Sequence, residues 1–310
     1  MIAHMENLEI GVKQELTRRY PGCRVDFRQV QKNNGLMLWG ISISAMEKNI
    51  SPIIYIDEYL ARGYSVKQIC DEVSRVFEDE RNIKTLETDL KNFQEISGKI
   101  CFKLVNAEEN REWLKGIPHR RLYDLAVVYY ILLDDEFDGM ATINITSQLA
   151  ACWGIEEEEL FRYAVKNTRK LLHVVVYPLG MLYDSIMAKE EPEAFKNGEK
   201  EFSMTVKDGC EWNMYIMSNK DRTFGAVTML YTDILQKIAN QLRADFYMLP
   251  SSTHELIIVP DTGEESGSEL FEMVCQVNRN DVRPDEFLAN NVYYYNSRDN
   301  CVTSLYYQEK

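Results

Sequence analysis

Residues Arg222–Pro260 read RTFGAVTMLYTDILQKIANQLRADFYMLPSSTHELIIVP, and their patterning decides the fold. Val227, Leu230, Tyr231, Ile234, Leu235, Ile238 and Leu242 recur at intervals of three and four, which predicts one helix from about Ala226 to Arg243 with a single apolar face. Phe246–Leu249 then reads as a strand. Pro250-Ser251-Ser252-Thr253 joins a fixed φ to hydroxyls that bond the local backbone, so it turns the chain before a second apolar run, His254–Val259. Pro260-Asp261-Thr262-Gly263 ends that run. The product is a helix, strand, turn, strand unit that buries one helix face on a two-stranded ladder.

Downstream, Glu265–Asn278 carries Leu270, Met273, Val274 and Val277 at helical spacing, and Val292–Tyr295 and Cys301–Tyr306 form a hairpin around residues 296–300. Upstream, Trp212–Met217 is a strand turned by Asn219-Lys220-Asp221-Arg222, with Thr223-Phe224-Gly225 returning. Ala188–Lys200 is charged and reads as a linker. The segment before it holds a strand at Lys99–Val105, a short helix at Asn106–Lys115, and the apolar run Leu122–Leu133, which Tyr129, Tyr130 and Ile131 favour as a strand. An acidic turn at 134–139 and a returning strand at Met140–Ile145 follow. Thr146 or Ser147 caps a short helix. Glu156-Glu157-Glu158-Glu159 opens another that ends near Lys170, with charges matching the helix dipole and needing no further partner.

The N-terminal part reads helix, three strands, helix. Leu8, Val12, Leu16 and Tyr20 share a helix face that stops at Pro21-Gly22. Asn34-Gly35 marks a hairpin, and Ser65 caps a helix holding Val66, Ile69, Val73, Val76 and Phe77. Arg81–Gly98 reads as a helical connector. The fold class is therefore α+β, with antiparallel hairpins packed against amphipathic helices in more than one α/β unit. Boundaries fall near 95 and 195, giving units 1–95, 96–195 and 196–310.

The helix, three strands, helix order is also that of double-stranded RNA-binding modules, but the second helix presents Asp71, Glu72, Glu78, Asp79 and Glu80 where such a module needs a basic stripe. Residues 107–310 hold 20 Lys or Arg against 34 Asp or Glu, which disfavours nucleic acid as a partner there. No apolar run is long enough to span a membrane, and the N-terminus has neither a basic nor an apolar leader segment. Seven scattered cysteines without a CxxC pair fit free thiols in a reducing cytoplasm.

Candidate chemistry is sparse. GxSxG, GxxxxGK and GxGxxG are all absent. The four histidines, His4, His119, His173 and His254, show no zinc spacing, and the acidic turn lacks the alternate ligands and terminal Glu of a calcium loop, so no metal and no cofactor is expected. Ser251, Ser252, His254 and Glu255 place a nucleophile, base and orienter in one turn, with His119 or Asp124 as further candidates if the fold brings them near. Against this, a strand sends His254 and Glu255 to opposite faces, and triad members usually converge from distant segments.

The phrases Ile117-Pro118-His119-Arg120-Arg121-Leu122-Tyr123-Asp124-Leu125-Ala126-Val127-Val128-Tyr129-Tyr130, Ala164-Val165-Lys166-Asn167-Thr168 and Leu249-Pro250-Ser251-Ser252-Thr253-His254-Glu255 resemble the bacterial domain of unknown function 5688, and Val277-Asn278 and Val292-Tyr293-Tyr294-Tyr295 fit it as well. The resemblance implies a bacterial, cytoplasmic protein with one shared fold and transfers no catalytic residue. The expected function is non-enzymatic, acting through protein–protein interaction or regulation. The alternative is a hydrolase built on the Ser251, Ser252, His254 and Glu255 turn.

Overall fold

A computed structural model of the chain describes residues 2–45, 53–81, 90–133, 142–188, 202–206 and 214–306. These fall into two compact units, one up to Leu90 and one from Lys91 onward. The acidic turn at 134–139, and with it the calcium-loop reading, lies outside the described residues, as do residues 82–89 of the Arg81–Gly98 connector and the proposed linker after Ala188.

The first unit runs α1 (Ile2–Arg19), β1 (Cys23–Gln31), β2 (Met37–Ala45), β3 (Ile54–Tyr55), α2 (Asp57–Ala61) and α3 (Val66–Arg81). Its strands form an antiparallel sheet in the order β1-β2-β3. Asn34 and Gly35, at φ 56° and 71°, turn the β1–β2 hairpin in the left-handed region that the Asn-Gly pair favours. Leu8, Val12 and Leu16 of α1 pack with Phe27, Ile41 and Ile43 of the sheet and Ile69, Val73 and Phe77 of α3. Polar contacts fix the two helices: Arg19 donates to Ser74 and pairs with Asp71, and Tyr20 donates to Glu78 across 2.7 Å. Ser65 and Gln68 bond reciprocally at the start of α3, a capping box.

The second unit holds two sheets. Strands β4 (Ile100–Asn106), β5 (His119–Leu122), β6 (Leu125–Leu132) and β7 (Thr142–Asn144) form the first, with β6 flanked by β4 on one side and by β5 and β7 on the other. The expected strand Leu122–Leu133 is thus shorter, and His119–Leu122 is itself a strand. A two-residue turn at Tyr123-Asp124, with Tyr123 at φ 55°, sets Leu122 opposite Leu125. Helices α4 (Phe93–Ile96) and α5 (Arg111–Leu114) flank β4, and α6 (Ser147–Trp153), capped by the Thr146 side chain, leads to α7 (Glu157–Leu171). Helix α7 shields the free edge of β4: Thr168 accepts the Phe102 N–H, and Asn167 donates to the carbonyls of Ser97 and Ile100.

The second sheet has seven strands in the order β14-β13-β11-β12-β10-β8-β9. They are β8 (Val174–Pro178), β9 (Phe202–Met204), β10 (Tyr215–Asn219), β11 (Phe246–Pro250), β12 (Leu256–Pro260), β13 (Tyr293–Asn296) and β14 (Cys301–Ser304). All neighbours are antiparallel except β8 and β9, and residues on both sides of position 195 share this sheet. Between β8 and β9 the chain forms α8 (Leu179–Ala188).

The long helix expected from Ala226 is two elements. A 3-10 turn covers Gly225–Leu230, Tyr231 breaks the spiral at φ −95° and ψ 76°, and α9 runs Thr232–Leu242. Thr228 causes the break by bonding within the tighter turn: its hydroxyl donates to the Gly225 carbonyl and its own carbonyl accepts the Tyr231 N–H. Burial at helical spacing survives, since Val227, Tyr231, Ile234, Leu235 and Ile238 are all within the core.

Residues 219–222 likewise do not make a hairpin. The Asn219 side chain accepts the N–H groups of Asp221 and Thr223 and donates to the Thr223 carbonyl, which curls the chain inward to the 3-10 turn and leaves β10 between β8 and β12. On one face of the sheet, α10 (Gly267–Asn280) packs Leu270 and Val274 on Leu249, Val259 and Val292. On the other, Tyr295 stacks on Phe246 and donates to Gln236 of α9.

Candidate functional site

The turn between β11 and β12 is densely hydrogen-bonded to neighbouring elements of the second unit. Proline at 250 ends β11, and Ser252 then closes a local turn: its hydroxyl accepts the His254 N–H at 3.0 Å and its N–H donates to the Glu255 carbonyl. Thr253 is buried, donating its N–H to the Glu286 carbonyl at 2.8 Å and accepting the Ala226 N–H. The His254 carbonyl accepts the Ser218 hydroxyl at 2.7 Å. Backbone and side chains of one turn therefore tie together β10, the 3-10 turn and the loop that follows α10.

His254 is the centre of this arrangement. Its Nδ1 accepts the backbone N–H of Phe224 at 3.2 Å, and its ring stacks on the Phe224 ring at 5.7 Å with an interplanar angle of 14°. An accepting Nδ1 fixes the neutral tautomer with the proton on Nε2. Nε2 faces Glu286 Oε1 at 4.0 Å, beyond hydrogen-bond reach. Burial pulls the imidazole below its ordinary pKa, against the raising effect of Glu286 and Asp285. Burial pushes Glu255 up, opposed by Arg222 and by a hydrogen bond from Ser251. Lys103 of β4 sits over the Phe224 ring, 4.2 Å from its centroid.

Phe224 itself has φ 56° and ψ 26°, left-handed backbone that costs a residue with a Cβ about 1 to 2 kcal/mol. Gly225 follows because nothing larger fits: a Cβ there would lie 2.5 Å from the His254 carbonyl oxygen and 2.8 Å from the Asn219 nitrogen.

The other two candidates have different partners. His119 Nδ1 bonds to the Ile117 carbonyl at 2.8 Å. Asp124 accepts the hydroxyl of Tyr293 and the amide of Asn291. Among the described residues no hydrogen bond joins either to His254, and none places a histidine nitrogen on Ser251 or Ser252. Phe224, Lys103, Glu286 and Ser218 carry no local sequence signal, since a phenylalanine at φ 56° is against its residue preference. No group of three or more metal-ligating side chains occurs among the described residues, and no described helix is long and apolar enough to cross a membrane.

A family model described as "Family of unknown function (DUF5688)" matches residues 3–297 of the 310-residue chain. The chain belongs to this family. No curated protein and no solved structure matches it.

In this DUF5688 chain the phrases that carry the resemblance meet as internal anchors. Tyr123 and Asp124 of the first phrase bond Val302 and Tyr293, so the β5–β6 turn clasps the outer strands of the seven-stranded sheet. Asn167 and Thr168 hold the edge of β4, and Asn278 donates to the Ala289 carbonyl. The Glu156–Glu159 run also has partners, contrary to the sequence expectation: Arg120 pairs with Glu157 at 2.9 Å and with Glu158 at 2.7 Å, and the buried Tyr129 hydroxyl donates to Glu157. Placing Arg120 on a strand rather than a loop is what brings it to the start of α7.

Proposed function

We propose that this protein is a non-enzymatic bacterial protein of the cytoplasm that acts through protein–protein contacts. One observation carries the reading: Nδ1 of His254 is occupied by the Phe224 N–H, while the Ser252 hydroxyl is occupied by the backbone N–H of His254 itself. A serine nucleophile needs an imidazole nitrogen to take its proton, and here Nδ1 is taken by the Phe224 N–H while Nε2 carries the ring proton, so neither nitrogen serves Ser252 as a base. The turn is a keystone that locks β10, the 3-10 turn and the loop after α10 together.

A protein partner is favoured over nucleic acid by the acidity of residues 107–310 and by apolar side chains exposed on one flank of α10, Met273 and Val277. The cytoplasm is supported by cysteine usage, with Cys70 and Cys101 buried in the cores and burial pushing each thiol up to about 11.

The test assays purified protein on ester, amide and phosphate-ester substrates alongside Ser252→Ala and His254→Ala. The expected result is no turnover that depends on Ser252 and a lower Tm for His254→Ala. Ser252-dependent turnover, with an unchanged or raised Tm in both variants, would establish the hydrolase instead. Photo-crosslinking inside cells from positions 273 and 277 should trap a discrete partner protein, and Met273→Glu should abolish the adduct without lowering Tm.

A further inference from the structure

We propose that His254 is a proton-operated latch, holding the Phe224 backbone while neutral and exchanging it for Glu286 when protonated. This regulation rests on the reading of the turn as structural.

Two partners compete for one imidazole. Nδ1 lies 3.2 Å from the Phe224 nitrogen, and an N–H can be accepted only by a ring nitrogen without a proton. Nε2 lies 4.0 Å from Glu286 Oε1, an oxygen that also lies 3.7 Å from Arg283 Nε. Protonation puts two N–H donors face to face at Nδ1 and creates a cation beside a carboxylate at Nε2. The first event removes the Phe224 anchor and the second supplies a replacement partner, so the proton decides between two arrangements.

The charged groups around the ring set the balance. Glu286 and Asp285, on the loop after α10, favour the imidazolium; Arg283 on the same loop and Lys103 on β4 oppose it. Glu255 in the turn itself faces Arg222 and is bonded by Ser251.

What the latch holds is a segment with stored conformational energy. Arg222 at φ 49° and Phe224 at φ 56° are both left-handed without being glycine. The Phe224 ring is held by its stack on His254, by an edge contact with Tyr130 at 5.4 Å and by Lys103. Gly225, closely enclosed by Ser218, Asn219 and the His254 carbonyl, fixes the far end. Release therefore lets residues 222–224 relax and takes the aromatic face away from Lys103, while β11 and β12 stay paired.

NMR on the isotopically labelled full chain tests this. At pH 7.5 the His254 ring should show the Nε2–H tautomer. As the ring titrates, the exchange protection of the Phe224 amide, corrected for intrinsic rate, should fall at least tenfold, while the Met248 and Ile258 amides of the β11–β12 ladder keep theirs. Glu286→Gln should move the His254 midpoint to lower pH, and His254→Gln should make Phe224 protection independent of pH. An Nδ1–H tautomer, unchanged Phe224 protection across the titration, or a ring that stays neutral until the fold melts overturns the latch. Should His254→Gln fail to fold, the Glu286→Gln midpoint decides. Ser252-dependent turnover would overturn the non-enzymatic reading but would leave the tautomer and exchange results unchanged, so the two failures are distinguishable.

Discussion

Tyr293 donates its hydroxyl hydrogen to Asp124 Oδ1 across 2.7 Å, joining positions 169 residues apart in the chain. The Tyr293 ring is fully buried, and the same oxygen of Asp124 accepts from Asn291 at 2.9 Å. Tyr123 continues the clasp by donating to the Val302 carbonyl on β14, the outermost strand of the sheet. Removing the hydroxyl in Tyr293→Phe leaves Asp124 with one donor and should cost about 1 to 2 kcal/mol. Asp124→Ala strands two donors and should cost about 3 kcal/mol. Because the pair shares one bond, the double variant should lose less than the sum in urea unfolding, and strict additivity would show that the two residues do not act together.

Gly225→Ala is expected to be the most damaging single methyl addition in the second unit. The added carbon would meet the His254 carbonyl oxygen at 2.5 Å and the Asn219 nitrogen at 2.8 Å, and both are backbone atoms held by sheet and turn. Neither can swing aside as a side chain would, so overpacking of about 3 kcal/mol follows. Urea unfolding of the variant measures it, and a loss near zero would mean that the β10 turn yields more readily than its bonds suggest.

What the sequence discloses follows the range of the interaction. The Arg222–Pro260 periodicity identified the buried residues Val227, Ile234, Leu235 and Ile238 because side-chain spacing is local. It could not show that Thr228 would bond back to Gly225 and divide the helix, since the same apolar positions are buried either way. The Asn34-Gly35 hairpin was legible because left-handed φ has a residue preference; the Tyr123-Asp124 turn was not, because a tyrosine at φ 55° is stabilised by distant partners, Val302 and Tyr293. The candidate site divides likewise. Ser252 and His254 stand close in sequence and in space, but the group that occupies the imidazole, the Phe224 N–H, lies 30 residues away.

Glu157 illustrates the same limit and gives a third prediction. Acidic residues at a helix start are explained by the dipole alone, yet Glu157 also accepts from Tyr129, whose ring is fully buried, and pairs with Arg120, whose guanidinium lies 4.1 Å from the Phe161 centroid. Glu157→Ala should cost about 2 to 3 kcal/mol, because the Tyr129 hydroxyl is left buried without an acceptor. Glu159→Ala, which removes only a dipole charge, should cost about 0.5 kcal/mol. Equal losses in the two variants would place the Tyr129 bond outside the energetics of the fold.

The fourth prediction is a pH dependence with two opposed slopes from one turn. Burial pulls His254 below its ordinary value of 6.5, so between its folded pKa and 6.5 the unfolded chain binds a proton that the folded chain does not. Stability rises with pH through that window, is fully present above 6.5, and is lost as pH falls. Glu255 has the opposite sign. Burial raises it above 4.5, so the folded state holds the extra proton between 4.5 and the folded pKa, and stability declines as pH rises across that interval. Urea unfolding from pH 4.5 to 8 separates them: the advantage of wild type over His254→Gln should grow up to about pH 6.5 and then level off, while Glu255→Gln should gain on wild type as pH rises from the acid end. A His254→Gln deficit that is constant with pH would mean that the imidazole keeps its proton equally in both states, and the assignment of its Nδ1 as the acceptor of the Phe224 amide would fail with it.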